Sequence, residues 1–195
     1  MFLNRLENYN VLLASNSKRR HELLSQLKIN FSLINQKTDE SFSEKLKEDQ
    51  ITDYLAKKKS SFFLKKLKKN DILITSDTIV WHKNKALGKP KTKQEAFNMI
   101  KSLENDYHHV ISSICISTLK IQVVVNEKTK VYFDKINDDD LLYYVNSSDV
   151  TDRAGGYGIQ DFIGSVFVSK IEGNYNNVLG FPTNKFIKTI NSMDL

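Results

Sequence analysis

The sequence predicts an α/β fold over its 195 residues, built as one domain or as two lobes sharing one sheet. Three observations carry that expectation. The short apolar runs Val11-Leu12-Leu13-Ala14 and Ile72-Leu73-Ile74 have the length of buried strands. Segments with apolar residues at helical spacing alternate with them, at Leu23, Leu24 and Leu27 and again at Ala96, Met99, Ile100 and Leu103. Each of the two strands opens into a small polar cluster, Ser15-Asn16-Ser17 and Thr75-Ser76-Asp77-Thr78.

The composition is that of an ordinary globular chain, with 40% hydrophobic and 27% charged residues. Only 7 Gly and 2 Pro leave no room for a low-complexity or collagen-like segment. The single Cys115 sits inside Ile114-Cys115-Ile116, so it reads as a small core residue and no disulfide framework exists within the chain. The first ten residues carry no long apolar stretch of the signal-peptide kind, and no apolar run approaches a bilayer span. The expectation is a soluble cytoplasmic protein with no membrane partner. A net charge of +6 attracts polyanions such as nucleic acid, anionic lipid or nucleotides.

Taken in order, β-strand 11–14 leads through the small-residue loop into a helix opening with Lys18, Arg19 and Arg20, with Ser17 as its N-cap. Basic residues are unfavourable at a helix N-terminus, so two arginines there point to a compensating anion; the plainer alternative is a solvated basic turn. Phe31 to Ile34 suits a short strand, followed by Asp39-Glu40, an acidic pair fit for metal ligation or for capping. Lys47 to Lys69 reads as one or two amphipathic helices with a break near Ser60-Ser61.

The stretch from Ile72 to Pro90 is the one the chemistry turns on. A strand ends at the polar cluster, apolar character resumes at Ile79-Val80-Trp81, and Gly88-Lys89-Pro90 follows. An Asp held at a strand end, a neighbouring hydroxyl and an aimed Lys are what a metal-assisted phosphate reaction needs. An ordinary hairpin with polar residues facing water is the alternative. Thr92 to Leu103 is a helix with Thr92 as cap and Glu95 completing a capping box. His108 to Ile116 is a strand whose His pair lacks a second ligand cluster. Residues 121–125 and 131–133 predict a hairpin across Asn126 to Lys130. Asp138 to Val145 is a short helix. Gly155-Gly156-Tyr157-Gly158 marks a loop that something approaches closely, and Gln160 ends it with an amide able to read a base edge. A strand near Phe167 to Ile171 and a helix from Thr183 to Ile190 close the order.

These stretches together resemble the Maf family of nucleoside triphosphate pyrophosphatases over nearly the whole chain. The matching segments are Leu13 to Leu24, Thr38-Asp39-Glu40, Leu55 to Lys59, Ser76 to Val80, Leu87 to Pro90, His108-His109-Val110, Asp152 to Gln160 and Gly173 to Pro182. The resemblance implies an elongated mixed sheet with flanking helices and two lobes around a central cleft, an inosine-triphosphate-pyrophosphatase-like fold, with residues 1–195 as a single Maf-like domain. It implies cleavage of a nucleoside triphosphate between the α and β phosphates with a divalent cation, Mg²⁺, Mn²⁺ or Co²⁺. Asp77 would be catalytic, and it would bind metal with Asp39 or Glu40. Ser15, Arg20, Lys59 and Lys89 would hold the triphosphate. Arg19, Thr78 and Gln160 would place the chain in the branch acting on dTTP and UTP, with modified pyrimidine nucleotides as further substrates. Two departures stand out: Lys18 where the family has Pro, and Glu104-Asn105 where it has Ser-Gly. Two other classes compete, a basic nucleic-acid-binding module and a non-enzymatic cell-division regulator, and both leave Asp77, Lys89 and Gln160 without a purpose. The expected partner is the nucleotide, with no stable nucleic acid; the oligomeric state is open, with a homodimer as the candidate.

Overall fold

The structure, a computed structural model, describes residues 2–35 and 38–195. Gln36 and Lys37, in the segment leading to Thr38-Asp39-Glu40, lie outside the described residues. In chain order the regular elements are β1 (Asn10–Ala14), α1 (Lys18–Gln26), β2 (Phe31–Leu33), α2 (Asp49–Ser61), β3 (Asp71–His82), β4 (Lys85–Leu87), α3 (Lys93–Lys101), β5 (Tyr107–Ser117), β6 (Gln122–Phe133), α4 (Asp138–Ser147), α5 (Phe162–Phe167), β7 (Val168–Glu172), α6 (Tyr175–Val178) and α7 (Thr183–Ser192). The strands make one seven-stranded mixed sheet in the order β2-β1-β3-β5-β6-β7, with β4 paired to β3. The expected α/β class and mixed sheet are therefore present.

The chain forms two compact units. The first comprises Met1–Asp77, Ser112–Glu127 and Gly180–Leu195, and the second Thr78–Ile111 and Lys128–Leu179. In the first, β1 lies parallel to both β2 and β3, with Val11 opposite Phe31 and Ile72. Parallel neighbours require crossovers, which α1 and α2 supply. Leu24, Ile51 and Leu55 on these helices are buried, as are Leu13, Ile72, Ile74 and the α7 residues Phe186 and Ile190. The second unit has its own core, in which Val80, Ile100, Leu103, Val131, Phe133, Tyr144 and Ile163 are nearly inaccessible.

Several local expectations are corrected. β3 does not stop at the polar cluster but runs unbroken from Asp71 to His82. Thr75 Oγ1 donates to the Ala56 carbonyl at 2.7 Å and the Asp77 carboxylate accepts from Lys59, so burying these two does not break the strand. The hairpin comes later, at Lys83 and Asn84, whose φ values of 46° and 62° give the left-handed pair a two-residue turn needs before β4. The hairpin predicted across Asn126 to Lys130 is absent, because β6 is continuous through it. Those residues hold no glycine, and the Asn126 amide is fixed to the Asp53 carboxylate at 3.2 and 3.3 Å. The turn lies instead between β5 and β6, closed by Thr118 N donating to the Ile121 carbonyl at 2.8 Å.

Capping also differs in detail. Ser17 precedes α1 but makes no side-chain cap. Thr92 does cap α3, accepting from Glu95 N at 3.1 Å, while the Glu95 carboxylate reaches back to Lys91 N at 2.7 Å rather than to Thr92. The break after Ser61 is real: a short 3-10 turn, Leu64–Lys66, follows α2. At the family's Ser-Gly step, Asn105 adopts φ 52°, a conformation Asn tolerates better than most residues, so the turn survives without glycine.

Candidate active site

Side chains alternate along β3, so Thr75 and Asp77 share one face, the face covered by α2. Asp77 is 6% exposed. Its carboxylate accepts from Lys59 Nζ at 2.5 Å, and the same ammonium reaches Glu40 at 2.8 Å. One lysine near the end of α2 therefore stands between two carboxylates, one buried and one half-exposed. Burial pushes the Asp77 carboxyl above its ordinary value, while Lys59 and the more distant Arg20 pull it back down. The neighbouring Lys58 takes a different acid: it pairs with Asp39 at 3.0 Å and with the Ser41 carbonyl at 3.0 Å. Hydrogen bonds from Ser41 and Lys58 hold Asp39 down at about 2. Of the acidic pair, Glu40 is thus the one joined to Asp77 through Lys59.

The loop after β1 builds the adjoining part. Ser15 is nearly buried, and its Oγ accepts from Ser17 N at 3.2 Å. His21, one turn into α1, bonds the Ser15 carbonyl at 2.7 Å. Arg20 is held by main-chain acceptors, with Nε on the Gly180 carbonyl and Nη1 on the Ser76 carbonyl, each at 3.0 Å. Nη1 also lies 3.5 Å from Ser15 Oγ. Both main-chain acceptors are neutral, and the guanidinium charge acts on the nearby Asp77 carboxylate. Arg19 lies beside it on α1, half-buried.

The second unit carries the remaining candidates. Thr78 follows Asp77 directly on β3. Lys89 follows β4 and pairs with Asp152 at 2.6 Å, both side chains half exposed. The Gly88 carbonyl accepts from Gly155 N at 2.9 Å, which ties the Gly88-Lys89-Pro90 turn to the glycine loop. The glycines of that loop answer to the protein itself. A Cβ on Gly155, at φ 72°, would lie 2.8 Å from Val80, and one on Gly156 would lie 3.3 Å from Ala96 of α3. Gln160 sits exposed in the turn that follows.

The fold therefore gathers Ser15, Arg20, Lys59, Glu40 and Asp77 in one unit and Thr78, Lys89 and Gln160 in the other. Asp39 is diverted to Lys58 and Ser41. Sequence reasoning missed the acceptors that aim the cations, the Gly180 and Ser76 carbonyls for Arg20 and Asp152 for Lys89. Main-chain acceptors carry no signal in residue type. It also missed Tyr144, Arg153 and Asp161, which brace the glycine loop. Among the described residues no group of three or more His, Cys, Asp or Glu forms a metal-binding cluster, and no helix is long and apolar enough to cross a membrane.

The Maf-like protein family matches residues 10–193. A dTTP/UTP pyrophosphatase of Christiangramia forsetii is 46% identical over 188 residues, covering 96% of each chain. One of Flavobacterium johnsoniae is 42% identical over 193 residues, covering 99% of this chain and 100% of that one. Among solved structures, the Staphylococcus aureus Ham1 protein is similar at a TM-score of 0.45 and 14% identity, over 64% of this chain and 71% of that one. On the extent of the family match and the identity to full-length relatives, this chain belongs to the Maf-like protein family.

Proposed function

We propose that this protein is a nucleoside triphosphate pyrophosphatase that hydrolyses dTTP and UTP, and modified pyrimidine nucleotides of the same shape, to the monophosphate and pyrophosphate. The observation that carries this reading is the buried Asp77 carboxylate, joined through Lys59 to Glu40. A carboxylate kept out of water, its pKa raised by burial, is suited to take a proton from an attacking water. Water adds to phosphorus, its proton passes to Asp77, and the α–β anhydride bond breaks with its electrons on the departing pyrophosphate. In this reading Arg20, Lys59 and Lys89 are assigned to the negative oxygens, and Ser15 offers a hydroxyl beside Arg20. Arg19, Thr78 and Gln160 are assigned to the choice of base. Residues 1–195 act as a single catalytic domain in this reading.

The donor set suits a divalent cation. Asp77 and Glu40 already share one positive charge, the Lys59 ammonium. Mg²⁺ and its relatives commonly take one or two carboxylates and complete their shell with substrate phosphates and water. Asp77 and Glu40 are the residues that would hold it, and it would supply charge neutralisation at the phosphates. Asp39, committed to Lys58 and Ser41, is left out of that pair.

A screen of pyrophosphate release from dTTP, UTP, dATP, dGTP and 7-methyl-GTP, each with Mg²⁺, Mn²⁺ or Co²⁺, tests the proposal. The expected result is release from dTTP and UTP well above the purine nucleotides. Equal rates on both classes would remove the pyrimidine assignment, and no release from any would remove the enzymatic one.

A further inference from the structure

Gln160 is the third residue of a tight turn, Gly158 to Asp161, closed by Asp161 N donating to the Gly158 carbonyl at 3.0 Å. An exposed amide on such a turn has no rigidity of its own. A single hydroxyl supplies it. Tyr144, on α4 and wholly inaccessible, places its phenol oxygen at both ends of the turn. It accepts from Gly158 N at 3.1 Å and donates to Asp161 Oδ2 at 2.8 Å. Its second lone pair accepts from Arg153 Nη1 at 3.2 Å, and Arg153 in turn ion-pairs with Asp161. The hydroxyl thus uses its one donor and both acceptor sites on the residues that frame Gln160. A Cβ on Gly158 would meet the Arg153 guanidinium and lie 2.7 Å from Asp161 Oδ2, so both side-chain ends would have to shift to admit one. A second anchor precedes the turn. Tyr157 OH meets His108 Nε2 at 2.6 Å in the core, with its ring edge-on to His108 and Phe133.

We propose that Tyr144 is a positioning residue for base selection: its buried hydroxyl, with Arg153 and Asp161, locks the 158–161 turn so that Gln160 meets the base in one orientation. This rests on the reading of Gln160 as the residue that contacts the base. Tyr144 touches no substrate; it acts through the turn.

The test is steady-state kcat/KM on dTTP, UTP, dATP and dGTP for wild type, Tyr144→Phe, Gln160→Ala and the double variant, with inhibition by tripolyphosphate as a probe of the phosphate end alone. Tyr144→Phe removes all three hydrogen bonds of that hydroxyl and should lower the pyrimidine-over-purine ratio by about tenfold or more. It should leave tripolyphosphate inhibition unchanged and add nothing further to the ratio in the Gln160→Ala background. Asp161→Asn, which keeps the side chain's shape but discharges the pair with Arg153, should move the ratio the same way and takes over the test if Tyr144→Phe fails to fold. A ratio that falls in Gln160→Ala but stays at the wild-type value in the turn variants overturns the positioning role and leaves the base contact standing. A ratio unmoved by Gln160→Ala overturns both. Uniform loss on all four nucleotides with weakened tripolyphosphate inhibition overturns the proposal by showing a general structural defect.

Discussion

His108 shows how one buried side chain sets a limit on stability. Burial, the first cause, and the neighbouring His82 and His109 push its imidazole from the ordinary 6.5 down to about 3. Between those values the unfolded chain binds a proton that the folded one refuses, so stability falls as pH drops from 6.5 toward 3. The slope approaches about 1.4 kcal/mol per pH unit, so roughly 2 kcal/mol is lost by pH 5. Chemical denaturation at pH 7 and pH 5 should show this loss in wild type and a smaller one in His108→Gln. Asp77 makes a different prediction. Asp77→Asn keeps the shape on β3 but cannot take a proton, so turnover should fall by about 10² or more while the circular dichroism spectrum is retained. Normal turnover in that variant would exclude Asp77 from the chemistry. Lys89 is exposed and pairs at the surface with Asp152, so Lys89→Ala should fold normally and lower kcat/KM to a similar extent for every accepted nucleotide. A changed ranking of nucleotides would take Lys89 away from the phosphates.

At the scale of elements, α3 offers the simplest check, since its cap is a single exposed hydroxyl. Thr92→Ala removes the acceptor for Glu95 N and should cost about 1 kcal/mol in urea denaturation with no change in KM. That helix was legible in the sequence because its apolar stripe and its cap are both local signals. So was the strand-loop-helix unit of β1 and α1, where a buried run, small residues and paired arginines coincide. β3 and β6 were not read at full length, and the reason is the same in both. Their polar segments look like turns when read alone, and only partners far along the chain, α2 for Thr75 and Asp53 for Asn126, show that they are interior strand. The glycine loop reads in sequence as a place of close approach, but not what approaches it. The space at Gly155 and Gly156 is filled by Val80 and Ala96, which residue spacing cannot reveal. The choice between Asp39 and Glu40 was likewise closed to sequence, since it depends on which of two adjacent lysines each acid meets.

The whole molecule carries a formal charge of +6, and the substrate proposed for it is a polyanion. Encounter should therefore be aided by the protein's field and weakened by screening. Raising NaCl from about 50 mM to about 500 mM should lower kcat/KM for UTP mainly through KM, since close contacts inside a site are screened less than the approach to it. The two compact units divide within β3, between Asp77 and Thr78, so consecutive residues serve the proposed bond cleavage and the proposed base choice. The grip on Arg20 has a consequence of another kind. Its Nε is held by the carbonyl of Gly180, 160 residues further along the chain, and Arg5 similarly donates to the Ile190 and Met193 carbonyls. At roughly 5–20 residues per second, a ribosome delivers that partner about 8–32 s after it has made the arginine. For that interval the side chain proposed to bind phosphate lacks the acceptor that aims it, so activity should appear only after Gly180 has been added and packed.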